Sequence, residues 1–168
     1  MTQALSCLGI SSMGCPEASL DEILSVAETH KLQYVELRSL GGTMNLPAFL
    51  KDTPAPASDR PKIRLLATSL CVLKVEQDAL DEFYAFAELA QRFNTPYLRV
   101  FGGGGGDFGT PPQEAAMAEA AEFINGLRAT MRKEGWKAEI LLETHDVLSS
   151  SDRCLALNAH LEEPLRIL

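Results

Sequence analysis

The sequence predicts an α/β fold built on a parallel sheet. Three observations predict it. Short apolar runs alternate with longer segments of helical periodicity, the pattern of βαβ units. Every gap between runs supplies the crossover of a dozen or more residues that a parallel pair requires. Charged side chains recur at period two inside the runs, which places them on one face of a strand.

The first run is Leu5–Ile10. A helix follows over Leu20–His30, with Ser19 as N-cap and Asp21 and Glu22 in the first turn, where the helix dipole favours them. Tyr34–Arg38 is the second run, and a short helical piece over Leu46–Lys51 comes next. Asp52–Pro61 carries Pro54, Pro56 and Pro61 and reads as a loop. The third run, Ile63–Ser69, leads into a helix over Gln77–Phe93, where Leu80, Phe83, Tyr84, Ala87 and Ala90 recur near helical spacing. Tyr97–Phe101 is the fourth run and opens into the glycines Gly102–Gly106. A long helix then runs from Pro112, suited to a first turn, to Lys133, with Gly135 as its stop. Ala138–Glu143 is the fifth run, Ser151–Leu161 the last helix, and Leu165–Leu168 the sixth run.

Composition narrows the function classes. The 168 residues suit one domain spanning 1–168, and 46% hydrophobic with 23% charged residues describes an ordinary globular chain. Lys and Arg number 15 against 23 Asp and Glu, a net charge of −8, which disfavours a nucleic-acid partner. No apolar run reaches the length of a membrane span, and the N-terminus lacks a signal-peptide pattern. Cys7, Cys15, Cys71 and Cys154 form no CxxC pair, so reduced thiols in a cytoplasmic protein are expected. Cys7, Cys71 and Cys154 stand among apolar neighbours and read as small buried hydrophobes.

Two architectures fit alternating strands and helices. A dinucleotide-binding doubly wound sheet needs GxGxxG after the first strand, and Ser11–Cys15 does not provide it. A (β/α)8 barrel places polar groups at the C-terminal ends of its strands. Glu36 shares a face with Arg38, Arg99 with Tyr97 and Phe101, and Glu139 with Leu141, Glu143 and His145, and several of these polar groups fall near C-terminal strand ends. Period two puts Glu143 and His145 on one side at the mouth of the fifth strand. A carboxylate with an imidazole suits Mn, Zn, Co or Mg, and equally a salt-linked strand end.

Together these pieces carry a resemblance. Gly9-Ile10-Ser11, Tyr34–Arg38, Tyr97–Gly103 and above all Leu142-Glu143-Thr144-His145-Asp146 resemble the sugar phosphate isomerase/epimerase family, the xylose isomerase-like TIM barrels. The resemblance covers essentially the whole chain and implies an incomplete barrel of about five and a half βα units, against about 250 residues for a full one. It implies a divalent metal (Mn, Mg, Zn or Co) with Glu143 as ligand and proton carrier. His145, Glu36, Arg38 and Arg99 would line the substrate site. The expected substrate is a small sugar, keto-polyol or sugar phosphate, altered by proton transfer next to a carbonyl. The remaining family ligands find no counterpart here, so the chain alone is expected to be inactive. The alternative is a noncatalytic partial barrel that self-associates through open strand edges, a homo-oligomer. A repair endonuclease of the same superfamily would need a basic surface, which the net charge opposes.

Other residues have plainer readings. Gly102–Gly106 is either a phosphate cradle lacking a P-loop ending or a mobile loop over the mouth. His30 and His160 fall in helices away from the strand mouths, and Trp136 is a packing anchor. Arg99 is placed to pair with Glu143 or Glu36, or to contact a substrate phosphate.

Overall fold

A computed structural model describes residues 8–103 and 112–168. Cys7, the start of the first run, and the glycine loop from Gly104 to Asp107 lie outside the described residues. Six parallel strands form one sheet in sequential order: β1 Gly9–Ser11, β2 Tyr34–Leu37, β3 Lys62–Cys71, β4 Tyr97–Phe101, β5 Glu139–Leu142 and β6 Arg166–Ile167. The crossovers carry α1 Leu20–Thr29, α2 Leu46–Phe49, α3 Gln77–Phe93, α4 Glu114–Glu134 and α5 Ser151–Asn158. The architecture is a partial TIM barrel. No helix among the described residues is long and apolar enough to cross a membrane.

The two faces of the sheet differ, and period two is the reason. Val35, Leu37, Ile63, Leu66, Leu98, Val100, Ile140 and Leu142 share one face. They join Ile23, Phe83, Phe86, Ile124 and Leu157 of the helices in one apolar cluster. Glu36, Leu65, Ala67, Arg99 and Leu141 alternate with them and lie outside that cluster. The face turned from the helices is thus a mixed polar surface, as the inside of a barrel is. Among the described residues strands β1 and β6 pair on one side only, so the sheet is open there.

Local chemistry explains most element ends. Ser19 and Glu22 complete a capping box, each accepting from the other's backbone N–H. Asn94 and Gly135 close α3 and α4 in the left-handed conformation, each satisfying carbonyls of the last turn. Arg60 pairs with Asp21 and Glu28 and ties the proline-rich loop to α1; these bonds, to Glu28 first, raise its pKa. Trp136 packs against the core beside Tyr84, with ring centroids 6.0 Å apart.

Some boundaries differ from the sequence reading. Helix α4 starts at Glu114 with Gln113 as N-cap, so Pro112 precedes the helix. Helix α5 ends at Asn158, whose side chain holds the backbone of Leu165 on both N–H and C=O and turns the chain toward β6. His160 therefore lies past the helix, with Nε2 3.1 Å from Glu114. His30 is the C-cap of α1. The short helix stops at Phe49, and β3 runs two residues past Ser69. Cys154 is buried, but Cys71 is only half-buried because it sits at the open end of β3.

Phe86 is fully buried, so Phe86→Ala is expected to cost about 3–5 kcal/mol in urea denaturation. Ser19→Ala, losing the capping box, is expected to cost about 1 kcal/mol. Burial raises the pKa of the Cys154 thiol above its ordinary value near 9.0. The folded state therefore holds that proton longer than the unfolded chain does. Stability is expected to be full below the ordinary thiol range and to fall as pH rises through it. Cys154→Ala should flatten that alkaline decline in pH-resolved urea melts.

Candidate functional site

The C-terminal ends of β2, β3, β4 and β5 converge on Phe101. The Arg99 guanidinium lies 4.2 Å above its ring centroid, Arg38 lies 6.0 Å away, and the His145 ring meets its edge at 5.4 Å. These distances are within cation–π reach. Strand register accounts for the gathering. Arg99 pairs with Ala67 and Leu141, so it enters between β3 and β5 on the inner face. After Ala67 the β3–β4 ladder breaks and resumes at Cys71 opposite Phe101. In the gap Thr68 donates to the carbonyl of Arg99 at 2.8 Å, replacing a ladder bond. Arg38 follows the end of β2, where buried Ser12 accepts from the backbone N–H groups of Arg38 and Ser39 at 2.9 and 3.1 Å.

Arg99 organises the electrostatics. It is 8% exposed, and its Nη1 forms an ion pair with Glu143 and stands 3.7 Å from Glu36. Burial lowers its pKa, and the two carboxylates oppose that shift. Arg38 instead donates to the carbonyl of Ala67 at 3.2 Å and to Ser69 Oγ at 3.3 Å, with no carboxylate partner among the described residues. His145 turns its Nδ1 to Asp146, 2.8 Å away. Behind the mouth Gly103 has φ +71°, and a Cβ there would lie 2.4 Å from Cys71 Cβ. Only glycine meets both constraints.

The five residues expected at the site, Glu36, Arg38, Arg99, Glu143 and His145, are thus within one cluster. Of the roles left open for Arg99, the structure shows the internal pairing. The alternation of β5 ends at Leu142, so His145 reaches the cluster through the turn after the strand. Phe101 is the centre that sequence reasoning did not single out as a site residue, although period two had placed it on the face of Arg99. Ser12 and Ser69 had no signal, because their contacts depend on β1 and β3 lying beside β2.

A divalent metal does not fit the described residues. Glu143 Oε2 is buried outside hydrogen-bond geometry, and its close neighbour is the Arg99 cation. No cluster of three or more His, Cys, Asp or Glu able to hold a metal occurs among the described residues.

With this geometry the fold resembles three solved structures. One is the IolI protein with a bound zinc atom (TM-score 0.69, 15% identity), matched over 94% of this chain and 59% of that one. Another is the probable 3-DHS dehydratase AsbF, involved in petrobactin synthesis, from Bacillus anthracis (TM-score 0.73, 15% identity), matched over 96% and 61%. A third is a xylose isomerase domain containing protein from Salmonella typhimurium LT2 (TM-score 0.71, 14% identity), matched over 99% and 61%. The fold is that of the xylose isomerase-like TIM barrels. The chain spans about three fifths of the length of these structures. No protein-family model and no curated sequence matches it.

Arg99→Met is expected to destabilise the protein by about 2–3 kcal/mol, somewhat less than a fully buried pair because Glu143 keeps contact with water. Adding Glu143→Gln should recover part of the loss. A double-mutant cycle in urea, with a coupling energy of about 1 kcal/mol or more, checks this.

Proposed function

We propose that this chain carries the substrate-binding face of a sugar isomerase/epimerase-like barrel in the cytoplasm. Its substrate is a small sugar, keto-polyol or sugar phosphate. The observation that carries the reading is the cluster of two guanidiniums, two carboxylates and an imidazole around Phe101. Polyhydroxylated carbonyl compounds present just the oxygen acceptors and hydroxyl donors that such a set complements. The likeness to AsbF, a probable 3-DHS dehydratase, supports this reading.

Each residue has a distinct part. Arg38 has N–H groups beyond its two Nη1 contacts and receives a carbonyl or phosphate oxygen. Phe101 offers an apolar platform, and Glu36 and His145 bond to hydroxyls. Glu143 is the carboxylate that a proton transfer next to the carbonyl would use as its base. In such a transfer the C–H pair would become a C=C bond, and Arg38 would meet the charge gained by the carbonyl oxygen. Glu143 is held against Arg99, and a divalent ion here would find a single carboxylate already paired. The 168-residue chain is therefore proposed to bind substrate without turnover.

Titration of the purified chain with a ketose phosphate, followed by NMR, tests this. Saturable shifts at Arg38, Phe101 and His145 are expected, and Arg38→Ala should weaken binding about tenfold or more. Absence of binding would overturn the site assignment. Epimerised product on adding Mn, Mg, Zn or Co would overturn the lack of turnover.

A second reading rests on the open sheet. A cavity of about 600 Å³ is lined by Gly9, Ile10 and Ser11 from one edge and Arg166, Ile167 and Leu168 from the other. Ile167 and Leu168 are exposed there. Two copies meeting at these edges would cover apolar surface. Light scattering should then show a mass that doubles with concentration, and a constant monomer mass would exclude it.

A further inference from the structure

We propose that the opposite end of the sheet, at the N-terminal ends of β3 to β5, holds a second site, one for a small phosphate-bearing anion. A cavity of about 660 Å³ opens there, within the size range of small-molecule sites. Its lining includes Arg60, Lys62, Arg64, Arg92 and Lys137 and no Asp or Glu. In a chain of net charge −8, a cavity lined by cations alone runs against the average composition.

The charge of these cations is largely unspent. Arg60 is neutralised by Asp21 and Glu28 and is set aside. Arg92 donates to the carbonyls of Leu50 and Lys51, which hold it in place without cancelling its charge. Arg64 is the unpaired residue of the β2–β3 bulge: Val35 faces Ile63 and Glu36 faces Leu65. The bulge lays its guanidinium over Tyr34 and Tyr97, at 4.6 and 5.4 Å, with its N–H edges uncommitted among the described residues. Lys62 and Lys137 make no ion pair among the described residues. Thr95 also lines the cavity.

The nearby carboxylates lie outside this lining. Glu139 pairs with Arg166 at 3.2 Å, and Glu28 and Asp59 line an adjoining depression that shares Arg60 and Lys62 with the cavity. Two held guanidiniums, Arg64 and Arg92, with Lys62 and Lys137 beside them, suit a dianion better than a single negative charge. Phosphate supplies that charge free or as an ester.

The test is an NMR titration of the intact chain with inorganic phosphate and, separately, ribose 5-phosphate, against chloride at matched ionic strength. Saturable shifts are expected at Lys62, Arg64, Asn94, Thr95 and Lys137. The exposed pair Lys62→Ala and Lys137→Ala, with unchanged circular dichroism, should weaken them about tenfold or more. Arg38→Ala should leave them intact, which separates this site from the strand mouth. Tighter binding of phosphate would identify a free-phosphate site, and tighter binding of ribose 5-phosphate an ester site. No saturable shift at millimolar anion, or equal shifts in the double variant, would overturn the proposal.

Discussion

A guanidinium buried at the C-terminal end of a parallel sheet has to be neutralised where it stands. Arg99 meets that demand with Glu143 from β5 and Glu36 from β2. Bringing an arginine-sized ion out of water costs several kcal/mol, recovered only when geometry is good and the remaining donors find partners. Its Nε finds no hydrogen-bond partner among the described residues. The three strand ends are therefore linked by a charge requirement as well as by the ladder. Their relative positions set where Phe101, Arg38 and His145 fall.

The helix side of the sheet works by a different rule. Its residues are aliphatic because they are covered by Phe83, Phe86, Ile124 and their neighbours, and close packing there sets the strand spacing. The inner side lies outside that apolar cluster among the described residues, and a uniformly aliphatic face there would make a broad apolar surface. Polar and charged groups at period two follow from that. The chemistry of the mouth is the polar face of a half-covered sheet, concentrated where the strands end.

Much of this was legible in the sequence. Helix α3 and strand β4 coincide with their apolar patterns residue for residue, because Glu76–Gln77 and Asn94–Pro96 bracket them with clear changes of character. The face shared by Glu36, Arg38, Arg99 and Glu143 followed from alternation alone. Alternation is local, however, and the bulges were invisible: nothing in Ile63-Arg64-Leu65 announces that Arg64 has no partner on β2. The same limit hid the ladder break after Ala67 and the role of Ser12, whose hydroxyl meets a strand 26 residues away. Period two also stopped informing at Leu142, where the chain turns and His145 arrives by the loop.

The inner face has one recurring device. At the mouth, Arg99 and Arg38 stand over Phe101; lower down, Arg64 stands over Tyr34 and Tyr97, and Arg166 over Tyr97 at 5.7 Å. An aromatic face attracts a cation without cancelling its charge, and it leaves the N–H edges free. Carboxylates then decide which cations are spent. Glu36 and Glu143 spend Arg99, and Glu139 spends Arg166. Among the described residues Arg38 and Arg64 meet no carboxylate, one at each end of the sheet. An inner surface filled by wide side chains thereby holds two guanidiniums on neutral partners, carbonyl and hydroxyl for Arg38 and aromatic rings for Arg64, and the charge left on each suits an anionic or oxygen-rich ligand.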